Sequence, residues 1–140
     1  MFDVKKEIAA LESELVALRR EFHQYPELGY QECRTSKKVI TYLTALGLED
    51  IRTVTKTGVT AVLRGTAGEG KTLLLRADMD ALPVEERTGL PYASKIPGVM
   101  HACGHDGHTA IQLIVAKILA AHRDAFRGQI KFLFQPNEEE

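Results

Sequence analysis

The stretch Met100-His101-Ala102-Cys103-Gly104-His105-Asp106-Gly107-His108 gathers one thiol, three imidazoles and one carboxylate. Thiolate sulfur and imidazole nitrogen are typical ligands of zinc and similar ions, and the Cys103-x-His105 spacing can set both around one metal centre. The same residue types also support a cysteine nucleophile with a histidine base, but that arrangement needs only one histidine. The crowding therefore favours metal. Carboxylates stand after two apolar segments: Asp78 and Asp80 in Arg76-Ala77-Asp78-Met79-Asp80, and Glu138-Glu139-Glu140 beyond Phe132-Leu133-Phe134. The ends of buried strands are where open α/β sheets place their ligand-binding groups. If those ends converge on Cys103 and His105, one glutamate can ligate an ion while the other takes a proton from the attacking water.

Periodicity locates the elements that must do this positioning. Ile8, Leu11, Leu15, Leu18 and Phe22 draw one apolar stripe down a helix of roughly twenty residues, and Pro26 ends it at Tyr25. His23 falls on the last turn, where the helix dipole favours it, with a role in the site as the alternative. A second helix is predicted from Gln31 to Leu46, with Val39, Ile40, Leu43 and Leu46 buried and Gly47 as its stop. Ile51 to Lys56 and Val59 to Arg64 read as strands separated at Thr57-Gly58. Thr72 to Ala77 reads as a third, and its Leu73-Leu74-Leu75 run suggests cover on both faces. Asp78 to Met100 is irregular, and a loop of that length in a compact domain is usually functional or disordered. A third helix from Gly107 to His122 should bury Ile111, Ile114, Val115, Ile118 and Leu119. Gln129 to Phe134 forms the last strand. This order predicts an α/β fold with a mixed sheet.

The 140 residues suit one domain, with 44% hydrophobic and 26% charged residues. A net charge of -1 gives no electrostatic footprint for nucleic acid or an anionic membrane. No apolar run approaches the roughly 18 to 20 residues of a membrane span, and the start lacks the layout of a signal peptide, so a cytoplasmic location is the default. In that reducing setting Cys33 and Cys103 are expected as free thiols or metal ligands, not as a disulfide. Gly65-Thr66-Ala67-Gly68-Glu69-Gly70-Lys71-Thr72 fits the phosphate-loop pattern, which would make the chain a nucleotide-binding module. That pattern requires a helix to follow, whereas Thr72-Leu73-Leu74-Leu75 continues as a strand. A glycine-rich hairpin connection is the better reading.

The motifs Leu18 to Leu28, Thr57-Gly58-Val59, Leu75 to Pro83, Met100 to Ala110 and Phe134 to Glu139 stand together in one order. With them the sequence resembles the zinc-type metallopeptidase family of aminoacylase and glutamate carboxypeptidase. Within it the likeness is to the amidohydrolase branch of hippurate hydrolase, indole-acetyl-amino-acid hydrolase and N-acyl-L-amino acid amidohydrolase. The resemblance implies that Cys103, His105 and Glu139 are metal ligands, that Glu138 is the general base, and that Asp80 supports the site by orienting a ligand or the base. It assigns Asp78 to the same motif and leaves His101 and His108 supporting or structural roles. It also implies two divalent ions, zinc or manganese, and hydrolysis of the amide bond of a small N-acyl amino acid or peptide, with no nucleic-acid or membrane partner.

Family members are more than twice this length. Residues 1–140 are thus expected to be the N-terminal part of the catalytic domain, an incomplete three-layer sandwich without the lid or dimerisation domain. Such a fragment should be inactive by itself for want of further ligands. The alternative is a non-catalytic folded fragment that binds a metal or a partner chain, and open sheet edges would favour a homo-oligomer. Asn137 stands where relatives often carry alanine.

Overall fold

The computed structural model describes residues 2–140. Asp3 opens the first helix, α1 (Val4–Gln24), its carboxylate accepting from the Lys5 and Lys6 amides as an N-cap. The second, α2 (Cys33–Ala45), begins later than the apolar pattern suggests, because Tyr30 takes a φ of 58° and turns the chain outside the helix. Gly47, with φ of 70°, follows its end as expected.

Strands β1 (Glu49–Val54) and β2 (Gly58–Arg64) form a hairpin that reverses through Thr55 and Lys56, at φ of 41° and 61°. The first strand therefore stops short of Lys56. Then come β3 (Thr72–Asp78), α3 (His105–Ala121), a short turn of 3-10 helix and β4 (Gln129–Gln135). Residues 79–104 carry only isolated bridges, Leu28 with Ala81 and Leu82 with Met100.

The sheet order is β1-β2-β4-β3, with β2 antiparallel to both neighbours and β3 parallel to β4. The sheet is mixed, as the sequence predicts, and α/β is the fold class. Because β4 lies between β2 and β3, the segment Gly65 to Lys71 is not a hairpin. It wraps around the entry to β4: the Gly65 N–H donates to the Gly128 carbonyl and the Gly128 N–H to that of Gly68, each at 2.9 Å. Thr72 continues into a strand, so no helix N-terminus faces those glycines and the phosphate-loop geometry is absent.

Helices cover one face of the sheet. There Val59, Ala61 and Leu63 of β2 lie beside Phe134, Phe132 and Ile130 of β4, packed against Leu18, Phe22, Val39, Leu43, Leu113 and Ile114. Phe132 and Phe134 are fully buried, and truncating either to alanine would cost about 3–5 kcal/mol. The opposite face carries Thr60, Leu74, Arg76, Lys131 and Leu133 and has no helix over it among the described residues. Two sequence expectations change here. Leu73 and Leu74, read as doubly covered, are each 56% exposed, because β3 is an edge strand. Ile111, expected in the core, is 53% exposed, since α3 turns Ala110, Leu113 and Ile114 inward instead.

Candidate metal centre

Parallel strands finish on the same side of a sheet, and β3 and β4 finish level, with Asp78 opposite Gln135. Beyond β3 the Met79 N–H still donates to the Gln135 carbonyl at 2.9 Å before the chain reaches Asp80. Beyond β4 it turns through Pro136 and Asn137. Asn137 takes a φ of 51°, a left-handed conformation that asparagine tolerates better than most residues. The turn delivers Glu138 and Glu139 beside Asp80.

Asp80 is 2% exposed and holds both sides of the centre. Its Oδ2 accepts from the Glu139 N–H at 3.0 Å. Its main-chain carbonyl and Oδ1 lie 3.0 and 3.2 Å from His105 Nδ1. A carbonyl can only accept, so Nδ1 carries a proton, and in the neutral ring the lone pair then lies on Nε2. That Nε2 lies 3.7 Å from Glu138 Oε2 and 3.8 Å from Glu139 Oε1. Glu139 Oε1 is buried without a hydrogen-bond partner among the described residues. An acceptor stranded in this way is costly unless something positive meets it.

The ligating atoms of Cys103, His105 and Glu139 lie within 4.8 Å of one another. Sulfur, imidazole nitrogen and carboxylate oxygen are a donor set suited to zinc, so the residues fit a metal ion. Asp78, His105 and His108 form a second group of the same span, although Arg76 already pairs with Asp78 at 2.7 Å. Cys33 and Cys103 are free thiols. The Glu139 carboxylate beside it leads in pushing the Cys103 thiol above its ordinary range, with desolvation and the charges of Glu138 and Asp78 adding to it. A divalent cation at the same place would reverse that balance in favour of thiolate.

All five residues singled out in the sequence, Asp80, Cys103, His105, Glu138 and Glu139, come together. Others that support them escape sequence reasoning. Glu32 is fully buried at the N-cap of α2, its Oε1 accepting from the Asn137 N–H at 3.0 Å and its Oε2 from the Thr57 hydroxyl at 2.5 Å. It thereby anchors the turn that carries the glutamates, yet a charged residue at a helix start reads as solvated. His23 lies on the last turn of α1, as expected, but points inward. It is 2% exposed, with Nδ1 2.7 Å from Asp106 Oδ2. His101 is buried with neither ring nitrogen bonded, and burial pushes it down to about 4. His108 is exposed, beside the His105 ring.

A mixed-sheet α/β domain that gathers thiol, imidazole and carboxylates within ligating reach at its strand ends has the layout of a metallopeptidase domain. Residues 74–140 match the model of Peptidase family M20/M25/M40. The chain is 49% identical to the N-acetyl-L-cysteine deacetylase of Bacillus subtilis, over 94% of this chain and 32% of that protein. With the N-acyl-L-amino acid amidohydrolase of Geobacillus stearothermophilus it shares 46% identity, over 98% of this chain and 37% of the relative. The crystal structure of a dinuclear metal-binding M20 peptidase from Bacillus subtilis superposes with a TM-score of 0.88 at 44% identity, covering 94% of this chain and 36% of that one. The chain thus spans about a third of the length of the relatives it matches. No helix among the described residues is long and apolar enough to cross a membrane.

Proposed function

We propose that this chain is part of a cytoplasmic, metal-dependent amidohydrolase that cleaves the amide bond of N-acyl amino acids. The observation that carries the reading is the double hold of Asp80, on His105 Nδ1 and on the Glu139 amide. It turns one imidazole lone pair and one unpaired carboxylate oxygen toward the same space. Cys103, His105 and Glu139 are the metal ligands and Glu138 is the general base. Asp80 keeps His105 in the ligating tautomer. Two divalent ions, zinc or manganese, would polarise the scissile carbonyl and acidify the attacking water when bound. Glu138, 39% exposed and near His105 Nε2, is placed to take the water's proton and pass it to the leaving nitrogen. The names of the two curated relatives support an N-acyl amino acid as substrate.

The test is hydrolysis of N-acetyl and N-benzoyl amino acids by a protein extended to the relatives' length. Metal-dependent turnover is expected, falling about 10²- to 10⁴-fold in Glu138→Gln, while the 140-residue chain alone is expected to show little or none. Absence of metal-dependent hydrolysis in the extended protein, or full activity in Glu138→Gln, would overturn the reading.

A further inference from the structure

We propose that His23 is a positioning residue of this centre, holding the first turn of α3, and with it His105, through Asp106. The inference rests on the metal reading of His105 but stands on contacts that reading does not use. Helix α3 starts from Gly104, whose φ of 116° and lack of a side chain leave the first turn without a side-chain cap. That turn is therefore fixed from its flanks. On one flank His105 is tied to Asp80. On the other, Asp106, with 1% of its side chain exposed, meets α1: its Oδ2 lies 2.7 Å from His23 Nδ1 and 2.8 Å from Arg19 Nε. Its Oδ1 accepts from the Gly107 N–H at 2.8 Å, which locks the carboxylate's rotation.

The second nitrogen of the same ring faces a third segment. His23 Nε2 lies 3.2 Å from Glu86 Oε1, and Glu86 Oε2 accepts from the Ser94 N–H at 2.6 Å. Tyr92 stands edge-on to the ring, with the Arg19 and Arg20 guanidinium groups over its own face. Helix α1, the 79–104 connection and α3 thus meet at one imidazole. A histidine that merely filled space would have no reason to match both nitrogens to carboxylates from separate segments. The matched nitrogens fix where the start of α3 sits relative to α1. Residue 105 follows, because it is one step from Asp106 on the same turn.

The side-chain shapes of the amides separate the two contacts. Asparagine at position 23 can place its NH₂ near the Nδ1 position, facing Asp106, whereas glutamine reaches the Nε2 position, facing Glu86. The experiment uses the 140-residue chain labelled with ¹⁵N at its five histidines, read by long-range ¹H–¹⁵N spectra without metal and then by Co²⁺ titration. The expected result is that the His105 ring signals of His23→Asn match wild type, while those of His23→Gln and His23→Ala shift or split and those of His122, beyond the far end of α3, stay put. Co²⁺ affinity should fall about tenfold in the Gln and Ala variants, as for loss of a group that orients a ligand, and by less than about threefold in Asn.

Unchanged His105 signals in His23→Ala, even with a lowered melting temperature, would mean a purely structural role and overturn the proposal. Should the His23 variants unfold, Asp106→Asn, which keeps the shape, must move the His105 signals, and its failure to do so overturns the proposal equally. A wild-type chain that takes up no Co²⁺ counts against the metal reading alone. The metal-free spectra then decide the positioning role on their own.

Discussion

The carboxylate of Asp80 accepts the main-chain N–H of Glu139 at 3.0 Å, so the exit of β3 holds the exit of β4. Its other oxygen and its carbonyl hold His105. Asp80→Ala removes both side-chain contacts at once, and Zn²⁺ or Co²⁺ affinity should fall about 10- to 100-fold. Asp80→Asn, which presents an amide to one of its two donor partners, should fall between. Calorimetric titration checks this, and unchanged affinity in Asp80→Ala would remove Asp80 from the centre.

Cys103→Ser and Glu139→Gln each delete one of the three clustered ligating groups. Each should abolish tight uptake of one ion while leaving the far-ultraviolet dichroism of the fold intact. Cys33→Ser should change nothing, because Cys33 is an exposed free thiol at the start of α2.

Glu32→Ala should destabilise the chain by roughly 2–4 kcal/mol, because it strands the Thr57 hydroxyl and the Asn137 N–H where the carboxylate was fully buried. Glu32→Gln, which keeps an acceptor, should cost less. Urea unfolding measures both.

Acid stability should carry the mark of His101. Burial pushes this histidine down to about 4, with the charges of Asp106 and Asp80 opposing and those of His23 and His105 assisting. A folded-state value below the unfolded one gives stability that is present at neutral pH. It is lost as pH falls from about 6.5 toward about 4, since the unfolded chain takes the proton first. The loss should amount to roughly 2–4 kcal/mol, and His101→Leu should flatten it. Glu14, held low by its hydrogen bonds from Lys117 and Tyr42, adds its own loss only below the ordinary carboxylate range. Metal-free unfolding curves across this window separate the two.

Gly128→Ala should be among the most damaging single methyl additions. Its φ is 72°, and the new carbon would sit 2.3 Å from the Lys71 carbonyl oxygen, a backbone atom with nowhere to go. A cost above about 2 kcal/mol is expected. Gly107→Ala, inside α3 with open space around it, should instead be neutral or stabilising by up to about 1 kcal/mol.

The centre's own residues were legible because their chemistry is unusual: Cys103-x-His105 has few uses, and carboxylates after apolar strands point to one end of a sheet. The supporting residues were hidden because their meaning is non-local. Nothing near His23 in the chain announces Asp106 or Glu86, and nothing near Glu32 announces Asn137. Leu73-Leu74-Leu75 specified a strand correctly, but an apolar run does not say whether a strand is central or lies at an edge. Thr55-Lys56 lacks the glycine or asparagine that marks most tight hairpins, so the sequence pattern extends the strand past its true end.

The parallel pairing of β3 with β4 has a consequence in time as well as space. The two strands are separated in the chain by the whole 79–104 connection and α3, so their pairing is a slow, entropically expensive closure. Cys103, His105 and Glu139 are brought within reach of one another only after it has formed in register, and a slip by one residue would shift one set of ligands by about 3.3 Å against the other. The colour of bound Co²⁺ during refolding should therefore appear last, after helix formation and collapse, as an optical clock for the final closure of the sheet.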